Sequence, residues 1–123
     1  MERILVVDDD IGVCNMLRRY FLLENRYEIY MAHDGETAVS KVKEVRPHIV
    51  LLDIMMPGMG GIDTLKEIKK VDPAVGVIMI TAVADEELAR RAIALGAYDY
   101  ITKPLNFEYL ETVVMVKIVD LLG

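Results

Sequence analysis

Acidic side chains gather in this sequence where apolar runs stop. The run Ile4–Val7 gives way to Asp8, Asp9 and Asp10, and the run Ile49–Leu52 gives way to Asp53. Two further runs, Val77–Ile80 and Tyr98–Ile101, are followed by Thr81 and by Lys103 with Pro104. If these ends meet, several carboxylates share one cleft with a hydroxyl and an ammonium. Clustered carboxylates repel, so one of them takes up a proton or the group shares a cation. Their hard oxygens suit Mg²⁺, which binds one or two carboxylates together with phosphate oxygens. Phosphoryl transfer is then the natural chemistry. A carboxylate serves as nucleophile and forms an aspartyl-phosphate. The cation and Lys103 neutralise charge, and Thr81 hydrogen-bonds an oxygen present only after transfer.

The elements that must bring these ends together are legible as five strand-like runs alternating with five amphipathic stretches. The strands are expected at Ile4–Val7, Glu28–Met31, Ile49–Leu52, Val77–Ile80 and Tyr98–Ile101. The first, third and fourth are continuous Val- and Ile-rich runs, as in parallel strands covered on both faces. Helices are expected over Ile11–Glu24, after Asp34 and Gly35, after Gly60 and Gly61, over Asp85–Leu95 up to a terminating Gly96, and after an N-capping Asn106. Strand–helix–strand units of this length imply an α/β fold with a parallel sheet and right-handed crossovers. In such sheets ligands bind beyond the carboxyl ends of the strands, where Asp8–Asp10, Asp53, Thr81 and Lys103 fall.

Composition bounds the rest. The 123 residues fit one domain, with 54% apolar and 28% charged residues as in an ordinary globular protein. A net charge of −6 argues against direct nucleic-acid binding, which needs clustered cations, and favours a protein partner or a bound cation. Cys14 is the only cysteine, so no internal disulfide forms, and a reducing, cytoplasmic setting is expected. The opening residues do not read as a secretory leader, and no apolar stretch has the length of a membrane span.

Four segments carry a family resemblance: ILVVDDD at residues 4–10, LLDIMMPGMGG at 51–61, IMITA at 78–82 and GAYDYITKP at 96–104. In this order, at the ends of the right strands, they make the sequence resemble the receiver domains of two-component response regulators over essentially the whole chain, as one domain over residues 1–123. The resemblance implies a flavodoxin-like, doubly wound (βα)₅ sheet with strand order 2-1-3-4-5. It implies that Asp53 is the phosphoacceptor. Asp8, Asp9, Asp53 and the backbone carbonyl of Met55 would bind Mg²⁺ or Mn²⁺, with Asp8 acting directly or through a water. Thr81 and Lys103 would contact the phosphoryl group. Tyr100 would be an aromatic switch coupled to Thr81, and Lys103–Pro104 a cis peptide. Met55 and Val83 stand where the family tunes phosphate lifetime. Both are apolar, so slow self-dephosphorylation is expected. The phosphodonor would be a partner histidine kinase, a phosphotransfer protein or a small acyl phosphate. The surface of the fourth helix, fifth strand and fifth helix would control an output domain or effector. The chain itself would not be an enzyme acting on other molecules.

Other features read more plainly. Asp10 is expected to cap the first helix. Gly58, Gly60 and Gly61 lack any phosphate-loop spacing and are assigned to turn flexibility. His33 and His48 are read as loop and strand-edge residues, and Cys14 as a small buried side chain. The last helix is apolar around much of its circumference, which suggests a contact surface, including a homodimer through that helix. An aspartate-nucleophile phosphohydrolase would need a second acid where Met55 stands. A docking module that is never phosphorylated would usually lack one of the acids or the Lys.

Overall fold

A computed structural model describes residues 1–23 and 25–123 of the chain. Ten elements alternate in chain order: β1 (Glu2–Val7), α1 (Ile11–Leu22), β2 (Tyr27–Ala32), α2 (Gly35–Val45), β3 (Ile49–Leu52), α3 (Gly61–Val71), β4 (Gly76–Thr81), α4 (Glu86–Ala94), β5 (Asp99–Thr102) and α5 (Phe107–Leu122). The strands form one parallel sheet in the order β2-β1-β3-β4-β5, the order that the resemblance implies.

Alternation along the strands sends side chains to two faces. Ile4, Val6, Ile49, Leu51, Ile78 and Ile80 pack with Leu17, Phe21, Leu110 and Val114 under α1 and α5. Leu5, Val7, Val50, Leu52, Val77 and Met79 pack with Val42, Leu65, Ile68 and Ala92 under α2, α3 and α4. All of β3 and β4 is buried, which explains their unbroken apolar sequence.

Element ends follow local chemistry. Asp10, Asp34, Asp85 and Asn106 each accept backbone N–H bonds at the start of a helix. Gly96, at φ 108°, closes the turn after α4 in a conformation that side chains rarely adopt. The observed β5 lies one residue beyond the expected Tyr98–Ile101. Tyr98 N–H bonds Val77 O before the ladder begins, and the Tyr98 ring sits under the Lys117 ammonium. Helix α1 ends at Leu22, and the expected terminus at Glu24 lies outside the described residues.

Helix α5 buries Leu110, Val113, Val114 and Ile118 against the sheet and leaves Met115, Val116, Val119 and Leu122 exposed. The apolar circumference seen in the sequence therefore divides into a core face and a bare face. No helix among the described residues is long and apolar enough to cross a membrane.

Candidate functional site

Strand order decides which side chains meet. Strands β1 and β3 are neighbours at the centre of the sheet, and their connections leave in opposite directions, which opens a crevice beyond their carboxyl ends. Ladder-like bonds carry the strand alignment past its formal limits. Asp53 N–H donates to Val7 O at 3.0 Å, Asp8 N–H to Ala32 O at 3.2 Å, and Lys103 N–H to Thr81 O at 2.8 Å. The residues at the crevice are thus tied by backbone hydrogen bonds to the strands beside them.

Asp8, Asp9 and Asp53 each offer a carboxylate oxygen, and these oxygens lie within 4.8 Å of one another. Asp8 and Asp53 are buried, at 3% and 7% exposure, while Asp9 is exposed. Lys103 reaches in from the end of β5, with Nζ 3.1 Å from Asp8 Oδ2 and 3.8 Å from Asp53 Oδ2. The structure therefore brings Asp8, Asp9, Asp53 and Lys103 into one cluster.

Burial, followed by the nearby Asp8 charge, pushes the Asp53 carboxyl above its usual range. The Met55 N–H, which donates to Asp53 Oδ1 at 3.2 Å, opposes that shift, as do Lys103 and the Thr81 hydroxyl. Three carboxylates against one ammonium leave two negative charges uncompensated. A divalent cation balances that count. The three carboxylates offer oxygens close enough together for one such ion to be shared among them. The donor set fits a hard, oxygen-seeking ion.

Thr81 is fully buried and its Oγ1 accepts Val83 N–H at 3.2 Å. Tyr100 is half-buried and its hydroxyl donates to Val83 O. Thr81, Val83 and Tyr100 are therefore linked by hydrogen bonds through one short stretch of the β4–α4 loop. The Met55 side chain is exposed and Val83 is half-buried. The Lys103–Pro104 peptide is cis.

Three residues near the site have more to do than the sequence reading gives them. Gly61 is not a flexible turn residue. A Cβ there would collide with the carbonyl of Asp53 and the Cα of Ile54, so the start of α3 lies directly behind the acid. Of its neighbours, only Gly58 takes a positive φ, at 72°. The GlyGly pair so soon after Asp53 was a usable signal. His33 and Cys14 both touch the backbone carbonyl of Asp8, at 3.1 and 3.3 Å. Burial, with the Asp8 charge second, pushes the Cys14 thiol up to about 11, so it is a protonated donor at neutral pH. Nothing in the spacing of His33 announced this contact, which depends on β2 lying beside β1.

The family model for the response regulator receiver domain matches residues 4–115. Regulatory protein AtoC of Escherichia coli (strain K12) is 40% identical over 114 residues, covering 93% of this chain and 24% of that protein. Chemotaxis protein CheY of Thermotoga maritima is 40% identical over 106 residues, covering 85% of this chain and 88% of that protein. The crystal structure of the CheX–CheY–BeF₃–Mg²⁺ complex from Borrelia burgdorferi aligns with a TM-score of 0.88 at 36% identity, covering 94% of this chain and 87% of that one. This chain spans only 24% of the length of the first curated relatives that it matches. Strand order, the acidic crevice and these matches agree, and the chain belongs to the response regulator receiver domain family.

Proposed function

We propose that residues 1–123 form one cytoplasmic receiver domain in which Asp53 accepts a phosphoryl group from a phosphohistidine on a partner histidine kinase or phosphotransfer protein, or from a small acyl phosphate. An Asp53 carboxylate oxygen attacks phosphorus, the bond from phosphorus to the donor nitrogen or oxygen breaks, and the donor leaves with that electron pair. Asp8, Asp9, Asp53 and the Met55 carbonyl would hold Mg²⁺ or Mn²⁺, which when bound offsets charge on the transferring group. The observation that carries this reading is the buried Asp53 carboxylate, sharing one cleft with Asp8 and Asp9 and standing 3.8 Å from Lys103 Nζ.

Lys103 has a second acid to leave. It lies closer to Asp8 than to Asp53, and a phosphoryl group on Asp53 offers it a stronger charge. Thr81 can exchange its bond from Val83 N–H for donation to a phosphoryl oxygen, and Tyr100 follows through Val83. The coupled surface of α4, β5 and α5 then changes population, because the phosphate makes different contacts in the two states. That surface would govern an output domain or effector, and the bare face of α5 would pair two copies. A monodisperse monomer both with and without phosphate counts against the pairing.

Neither Met55 nor Val83 carries a side chain able to orient an attacking water, so the aspartyl-phosphate is long-lived for its family. The protein acts on itself and is no turnover enzyme. Incubation with acetyl phosphate, with and without Mg²⁺, followed by intact mass and site mapping, tests the reading. One phosphoryl group on Asp53, added only with the metal, is expected. Labelling elsewhere, or none, overturns it.

A further inference from the structure

Asp8 and Asp9 are held in very different ways. Asp8 Oδ1 accepts Asp10 N–H at 2.9 Å and Oδ2 accepts Lys103 Nζ at 3.1 Å. The Asp9 carboxylate is exposed and hydrogen-bonds nothing among the described residues. No side-chain partner fixes its torsions, so the support it receives comes from the backbone that carries it, including the Asp8–Asp9 peptide.

The carbonyl of that peptide is held from two sides. His33 Nδ1 lies 3.1 Å from it and Cys14 Sγ lies 3.3 Å from it. A carbonyl oxygen only accepts, so Nδ1 carries the hydrogen of the His33 ring. The Cys14 thiol, 3.7 Å from that nitrogen, donates to the same oxygen. The thiol is the weaker donor, which leaves His33 as the main restraint. His33 also follows Ala32, whose carbonyl accepts Asp8 N–H. The end of β2 therefore clamps both polar groups of the Asp8 backbone.

We propose that His33 is a positioning residue that aims Asp9 into the cation site by fixing the Asp8–Asp9 peptide. The inference rests on the reading of Asp8, Asp9 and Asp53 as metal ligands. It requires a hydrogen-bond donor at the position of Nδ1.

Mg²⁺ dissociation constants measured by titration calorimetry on the wild type, His33→Ala, His33→Gln and His33→Asn test it. The amide of Asn places a donor where Nδ1 stands, whereas Gln carries the same amide one methylene further out. Loss of such an outer support weakens metal binding by about tenfold or more, which is expected for Ala and Gln. Asn is expected to restore affinity close to the wild type. A wild type that binds Mg²⁺, with all variants equal to it or with Asn as weak as Ala, overturns the role of His33 alone. A wild type that binds no Mg²⁺ overturns the metal site itself and this inference with it. Because His33 is exposed, melting without Mg²⁺ is expected to show every variant folded.

Discussion

The two edges of the sheet use the same kinds of residue to opposite ends. At the amino-terminal edge, the charges of Arg3 and Lys69 are answered by backbone carbonyls. Arg3 donates Nε to Val45 O at 2.8 Å and Nη2 to Arg46 O at 2.8 Å, over the carbonyl end of α2. Lys69 donates to Pro73 O and Val75 O at 2.8 and 2.9 Å. His48 Nδ1 accepts the Arg3 backbone N–H at 3.0 Å, and the His48 backbone N–H donates to Arg3 O at 2.9 Å. At the carboxyl edge the buried groups are hydrogen-bonded too, and no buried side-chain polar atom among the described residues lacks a partner. What differs is charge. Asp8 and Asp53 are buried beside each other with one partly exposed Lys103 between them. An unmet hydrogen bond therefore does not mark this site. Like charge, kept close and left for something else to neutralise, marks it.

Substitutions at either edge separate packing from charge. The largest stability loss is expected at Gly61, on the acidic edge. Gly61→Ala drives a methyl into the backbone of Asp53 and Ile54, and a loss of about 3 kcal/mol is expected in chemical denaturation. It also displaces Asp53, so labelling by acetyl phosphate falls with stability. A Gly61→Ala protein of normal stability would show that α3 can retreat from the acid. Next comes Arg3→Met, which keeps the stem and removes the charged bonds to α2. About 2 kcal/mol is expected, with phosphorylation of the folded protein unchanged. A matching defect in phosphorylation would mean that the two edges are coupled.

The smallest effect is a pH dependence at His48. Burial, and then the Arg3 charge, holds the ring below its usual value of 6.5, so the fold favours neutral imidazole. That stability is fully present above the unfolded value and is lost as pH falls through the folded one. Melting temperature is expected to drop as pH falls below 6.5, and His48→Asn is expected to flatten that part of the profile. A profile identical in the two proteins would remove His48 from the account.

Much of the acidic edge was legible because strand ends are legible. Continuous apolar runs fix where β1, β3 and β4 stop, and the residues that follow must emerge at one edge. Asp8, Asp9, Asp53, Thr81 and Lys103 were found in that way, and Asp10 and Asn106 by their capping chemistry. The one-residue shift of β5 escaped because a half-buried edge strand is set by tertiary contacts, here Tyr98 N–H to Val77 O, and not by its own pattern. Gly61 was misread as a turn because flexibility and close approach leave the same residue in the sequence. His33 was invisible for a further reason. Its partner is a backbone carbonyl twenty-five positions away, and backbone groups carry no sequence signature.

The carboxyl edge holds buried, mutually repelling carboxylates, a cost that a divalent ion is expected to relieve. Burial first, and the Asp8 charge second, raise the Asp53 carboxyl, so ionising it costs the fold something. That cost is absent below the unfolded value of 3.8 and grows as pH rises through the folded one. Asp53→Asn is therefore expected to be as stable as the wild type or more so without metal at neutral pH, and unable to take up phosphate. The most direct measurement is denaturation of the wild-type protein at neutral pH with and without Mg²⁺. When free Mg²⁺ stands a hundredfold above its dissociation constant, the folded state is expected to gain about 2.7 kcal/mol. Stability that does not move at any Mg²⁺ concentration would mean that the acidic crevice holds no divalent ion.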